Sequence, residues 1–206
     1  MTGKRWIVAG AAALAAAVAS LIFYNELPER MAAHFSLTDQ PDRYVHKVIG
    51  AFLLPAVMLL LPALTNLNMR LERDPSKRTR FANVSETTNI VLILLLFAVH
   101  GVLLAYNLGR DIAAHSRFAP VVIGLALIAI GNVLPRAPRA RLKLIRLSDE
   151  QYARYARFTG RCTVAAGFLL FLSALLPGGA GAVAAVAVVA ALVLASLGGA
   201  VYFSRK

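Results

Sequence analysis

His34, Asp39, Asp42 and His46 fall within one short stretch. Imidazole nitrogens and carboxylate oxygens of this kind can collect a borderline or hard cation. Their spacing matches no compact ligand motif, so a solvated loop whose imidazoles are satisfied by hydrogen bonds is the preferred reading, and a metal site held by these four residues is the weaker one. Asp42 follows Pro41 and precedes an apolar run, which suits it to cap the next helix by accepting an orphan backbone N–H. Lys47 comes one turn later and can pair with Asp42 or reach lipid headgroups.

Three further polar residues, Asn89, His100 and Asn132, lie inside apolar runs. Polar groups are costly in hydrocarbon and are functional candidates by default. A proton relay through His100 would need an acid at similar depth, and no Asp or Glu falls inside a predicted span, so an interhelical hydrogen bond is expected instead. Asn132 is expected to bond across helices or to cap the chain before Pro135. Pro55 and Pro62 release the carbonyls of Ala51 and Met58 and should kink their helix. No Ser-His-Asp order, Gly-rich phosphate loop or paired-carboxylate site stands out, and no cofactor is implied. Enzyme chemistry, as a metal-dependent membrane enzyme, is therefore the third choice of function class.

These residues must be positioned by membrane helices. Of the 206 residues 59% are apolar and 16% charged, and mean hydropathy is +0.67. That balance excludes an ordinary soluble globule, a disordered chain and, with Cys162 as the sole cysteine, an intrachain disulfide scaffold. Uncharged runs over 6–24, 45–64, 88–106, 118–134, 162–176 and 180–203 predict an all-α polytopic membrane protein with six transmembrane helices. The fifth run is short, so Arg161 must snorkel or the helix must be re-entrant. Pro177-Gly178-Gly179 makes spans five and six a tight helical hairpin.

Net charge is +12. Nucleic acid is not needed to explain it, because 17 of the 22 Lys and Arg residues fall on alternate segments: the N-terminus, the loops after spans two and four, and the C-terminus. The positive-inside rule puts both termini in the cytoplasm. Lys4-Arg5 followed by Ala-rich sequence and Val18-Ala19-Ser20 looks like a secretory signal, but the apolar run is too long for an ordinary one, and span one is expected to stay attached. Residues 1–67 form an N-terminal two-helix unit carrying the extracytoplasmic loop 25–46, and residues 68–206 a four-helix region with the basic cytoplasmic loop 136–161. In that basic loop Ser148 and Gln151 make a capping-box pattern that should start a short interfacial helix near 149–160. Tyr152, Tyr155 and Phe158 recur along it every third residue beside Arg154, Arg157 and Arg161, which suits headgroup-level aromatics and guanidiniums near phosphates, or a docking face for a protein.

The run Leu27-Pro28-Glu29-Arg30-Met31-Ala32-Ala33-His34-Phe35, then Asp39-Gln40-Pro41-Asp42-Arg43-Tyr44, then Lys47 and Pro55, resembles the N-terminal membrane domain of unknown function found in the SdpI family of immunity proteins against a secreted sporulation-delaying toxin. Ile130-Gly131-Asn132-Val133-Leu134-Pro135 and Leu147-Ser148-Asp149-Glu150, with Tyr152 and Arg157-Phe158, are similar to two further stretches of that family. The chain departs from it at Ala32 and Asp39, across 139–146, where only Ile145-Arg146 is kept, and at Ala156, where the family carries His. The resemblance implies a multi-pass protein of the bacterial cytoplasmic membrane that protects against a toxic peptide or other envelope ligand, held at His34, Phe35, Asp42 and Lys47. It also implies that a cytoplasmic repressor could be sequestered on the face carrying Tyr152, Arg154, Tyr155 and Arg157. A small transporter or channel is the alternative class; without paired charges at mid-membrane, ion coupling is disfavoured.

Overall fold

The computed structural model describes residues 3–36, 40–110, 115–137, 147–176 and 179–205. Among these residues there are six α-helices and one two-stranded sheet: α1 (Lys4–Ile22), β1 (Arg30–Phe35), β2 (Pro41–His46), α2 (Lys47–Leu71), α3 (Pro75–Asn107), α4 (His115–Val133), α5 (Asp149–Ser173) and α6 (Gly179–Ser204). Five of the helical segments, all but α5, are long and apolar enough to cross a membrane. The protein is thus an all-α polytopic membrane protein with a small β-hairpin at one end, the end opposite the basic loops.

The bundle is inside out by the standards of a soluble protein. Ala9, Ala13, Ala16 and Ser20 line the buried stripe of α1 at helical spacing, against Met58 of α2 and Ile93 of α3, while Leu14, Leu21 and Ile22 point outward. Lipid tails are as apolar as leucine, so association rewards close backbone approach rather than burial of large side chains. The same rule shapes the antiparallel seam of α4 and α5. A Cβ on Gly124 would lie 2.6 Å from the Gly167 carbonyl oxygen, and one on Gly131 would lie 2.8 Å from that of Gly160.

Three expectations need correction. The stretch expected as a loop after span two is almost wholly helical, because Asp74 accepts from the backbone N–H of Ser76 at 2.9 Å and Pro75 opens the helix with no donor to satisfy. The Ser76 hydroxyl, 2.7 Å from the Asp74 carboxylate, together with the Lys77 N–H, holds the Asp74 pKa below its ordinary value. Its 33 residues make α3 about 50 Å long, so the helix extends beyond the hydrocarbon at the basic end. The interfacial helix near 149–160 is not a separate element either. The Ser148–Gln151 capping box is present, but the helix it starts continues through Gly160 to Ser173. Lastly, Asp42 does not cap α2; it lies in β2, and His46 is the cap, its Nδ1 accepting from the Val48 N–H at 3.4 Å.

Candidate functional site

The extracytoplasmic loop of the sequence reading is an antiparallel hairpin whose register pairs Arg30 with His46, Met31 with Val45 and Ala32 with Tyr44 before irregularities around His34. Those irregularities bring His34 beside Asp42. The His34 Nδ1–H donates to Asp42 Oδ1 at 2.5 Å, with the two side chains 60% and 45% exposed. With Nδ1–H committed to the carboxylate, Nε2 is left to accept or ligate when the ring is neutral and to donate when it is protonated. Asp39 lies outside the described residues, and His46 is occupied at the helix cap. Among the described residues no three His, Cys, Asp or Glu side chains gather as a metal group.

The hairpin is pinned to the bundle by a residue that sequence reasoning passed over. Asn107, at the end of α3, treats β1 as a strand would: its Oδ1 accepts from the Ala32 N–H at 2.8 Å and its Nδ2 donates to the Ala32 carbonyl at 3.0 Å. Beside it the Phe35 ring meets Tyr106 edge-on at 4.7 Å between centroids. At the stem Met31, fully buried, packs on α2 where a Cβ at Gly50 would come within 2.7 Å of its sulfur. Lys47 is also at the stem. Its ammonium is buried over the Tyr24 ring at 4.6 Å from the centroid and 3.5 Å from Glu29 Oε1, and its backbone N–H donates to the Glu29 carbonyl. The structure therefore joins His34 with Asp42 and seats Phe35 nearby, but uses Lys47 to anchor the hairpin rather than to extend the exposed pair.

Beneath the hairpin is an apolar cavity of about 600 Å³ between α3, α4 and α6. Val99 and Val102, Phe118 and Ile123, and Val186 and Val189 supply its walls, and Ala33, Phe35 and Ser36 of the hairpin line its near end. The hairpin thus bears an exposed imidazole–carboxylate pair, and three of its other residues, Ala33, Phe35 and Ser36, line the apolar cavity.

The remaining polar residues separate by role. His100 is 1% exposed, and its Nε2 lies 3.0 Å from Ser20 Oγ and 3.2 Å from the Ala16 carbonyl oxygen, the interhelical bond that was expected. Asn89 pairs with Thr65 of α2 at 2.9 Å. Among the described residues Asn132 bonds within its own helix, its Nδ2 donating to the Ile128 carbonyl, and the side chain is exposed. Tyr155 and Phe158 turn toward Phe203 of α6, at 6.4 and 6.0 Å between centroids. Arg154 pairs with Glu150 at 2.6 Å, and Arg157 is exposed. At the same basic end, sequence reasoning missed a buried charge. Arg5 is 1% exposed; its guanidinium bonds Asn66 and lies 3.9 Å from Glu86, which also accepts the Arg5 backbone N–H at 3.2 Å. The only available signal was Glu86 falling just before an apolar run.

Residues 11–59 match the domain of unknown function DUF1648, a region that holds most of α1, the whole hairpin and the first half of α2. Over 49 residues, 24% of this chain, the protein is 37% identical to the uncharacterized membrane protein YbgB of Bacillus subtilis (strain 168), of which those residues cover 54%. The chain spans about half the length of that curated relative. No solved structure matches. The hairpin and its anchors, including His34, Asp42, Lys47 and Gly50, lie inside the matched segment, whereas Asn107 and most of the cavity wall lie outside it.

Proposed function

We propose that this membrane protein is a recognition protein of the bacterial cytoplasmic membrane that binds a toxic amphipathic peptide, protects the membrane from it, and presents a docking face for a cytoplasmic regulator at its basic end. The observation that carries the reading is the hairpin itself: it bears the exposed His34–Asp42 pair, and its Ala33, Phe35 and Ser36 line an apolar cavity of about 600 Å³. A ligand with a polar, hydrogen-bonding segment and an apolar one would satisfy both. The polar segment would meet Asp42 and the His34 Nε2, and the apolar segment would fill the chamber below Phe35. The resemblance of the hairpin motif to the SdpI family supports a peptide as the ligand and the membrane as the place where it is met. Lys47, seated in the stem over Tyr24 and beside Glu29, ties the hairpin to α2, and a preformed platform of this kind would lower the ordering cost of binding.

The test is survival of toxin-sensitive cells that express the wild-type protein, or His34→Ala or Asp42→Ala, at matched membrane levels, under challenge with a sporulation-delaying-type peptide. Protection by the wild type and its loss in both variants is the expected result. Absence of protection by a correctly inserted wild type overturns immunity for that peptide class, and ligand flux in proteoliposomes would then favour the transporter reading.

A further inference from the structure

At the basic end, on the side of the bundle away from the hairpin, the α4–α5 seam opens into a groove of about 430 Å³ lined by Gly131, Asn132, Pro135, Gly160, Arg161, Val164, Ala165 and Phe168. The groove exists because Gly131 and Gly160 bring the backbones together without side chains to fill the valley beside them. Its contents are ordered by depth. Arg161 is the last charged residue of α5, and from Cys162 onward the helix is uncharged, so the guanidinium stands where headgroups begin. Val164, Ala165 and Phe168 continue the groove into the hydrocarbon.

We infer that this groove is a binding site for one anionic phospholipid, with the phosphodiester on Arg161 and the Asn132 amide and an acyl chain along Val164, Ala165 and Phe168. Charge complementarity argues for the occupant. Arg161 is exposed and makes no ion pair among the described residues, and Asn132 spends one N–H on the Ile128 carbonyl, leaving the rest of its amide at the groove. A guanidinium binds a phosphate through paired, charge-assisted hydrogen bonds that a zwitterionic headgroup weakens with its own cation. The site is independent of the hairpin and of any peptide bound there.

The experiment is native mass spectrometry of the purified full chain taken from bilayers of equal dioleoylphosphatidylglycerol and dioleoylphosphatidylcholine. Arg161→Ala removes the headgroup contact, and Ala165→Trp fills the groove from an exposed position that the packing does not use. Arg205→Ala removes a basic residue of the same end outside the groove. The wild type should keep phosphatidylglycerol in preference to phosphatidylcholine, and each groove variant should weaken that retention about tenfold while Arg205→Ala changes it by less than about twofold. Excess glycerol phosphate should not displace the lipid. Unchanged retention in either groove variant, an equal loss in Arg205→Ala, or displacement by glycerol phosphate would each overturn the proposal, the last two by showing diffuse charge attraction or a headgroup-only site.

Discussion

The Ser20 hydroxyl donates to the Ala51 carbonyl oxygen at 2.8 Å, and Ala51 is the residue whose carbonyl Pro55, four positions on, leaves without a helical donor. A defect in α2 is thus repaired from α1. Since the hydroxyl hydrogen goes to Ala51, the Ser20 oxygen is left to accept the His100 Nε2–H, 3.0 Å away, and a single hydroxyl ties three helices together. This knot lies in the hairpin half of the bundle, below the stem built by Met31 and Ala51.

The first prediction follows from that repair. Ser20→Ala should lower stability in detergent by about 1 kcal/mol, the usual scale of such bonds between membrane helices. In a Pro55→Ala background the new backbone N–H can serve Ala51, so the same substitution should lose less than about half as much. A double-mutant cycle of unfolding free energies reads the coupling directly. Strict additivity would mean that Ser20 does not serve the carbonyl freed by the proline.

How far the fold was legible follows from the same residues. The helices were visible as uncharged runs because hydrocarbon tolerates little else, and Pro55 announced an orphan carbonyl at Ala51. Its partner did not announce itself, since Ser20 is one small polar residue among alanines, far from Ala51 in sequence. The hairpin was read as loop because neither six-residue strand shows the alternation of a half-buried sheet; β2 is exposed along most of its length. His34 and Asp42 were visible in sequence as an imidazole and a carboxylate eight residues apart, but only the irregular register shows that they form a pair. Lys47 illustrates the same limit: sequence marks it as a charge near the site and cannot show that its ammonium lies over the Tyr24 ring and beside Glu29. The splitting of α5 came from treating a change of polarity at Arg161 as a change of element, when Gly160 is there for the neighbour's backbone rather than as a break.

A second prediction concerns the buried charge at the opposite end. Arg5 is enclosed by Asn66, Met69 and Glu86, and the Glu86 side chain is 22% exposed. Removing one member of such a pair leaves the other's charge uncompensated, whereas removing both removes the problem along with the attraction. Glu86→Ala should therefore lower stability by about 3 kcal/mol, and Arg5→Met with Glu86→Met should return to within about 1 kcal/mol of the wild type. Denaturant unfolding in mixed micelles makes the comparison. A double variant as weak as Glu86→Ala would show that the cluster matters for packing rather than for charge.

The third prediction turns on glycines that look alike in sequence. Gly10 and Gly124 are both interior to transmembrane helices, yet a Cβ on Gly10 meets nothing within 4 Å, while one on Gly124 lies 2.6 Å from a carbonyl oxygen of the opposite backbone. Backbone cannot swing aside as a flexible side-chain end can, so accommodating the methyl at Gly124 requires α4 and α5 to separate. Separation loses dispersion contacts along the whole seam down to Gly131 and Gly160. Gly124→Ala should consequently lower stability by about 1–3 kcal/mol, the range for overpacking a close contact, whereas Gly10→Ala should leave it unchanged or raise it slightly by restricting the unfolded chain. Parallel thermal unfolding of the two variants in one detergent settles it, and an equal response would remove the argument that backbone contact, rather than helix propensity, selects glycine at this seam.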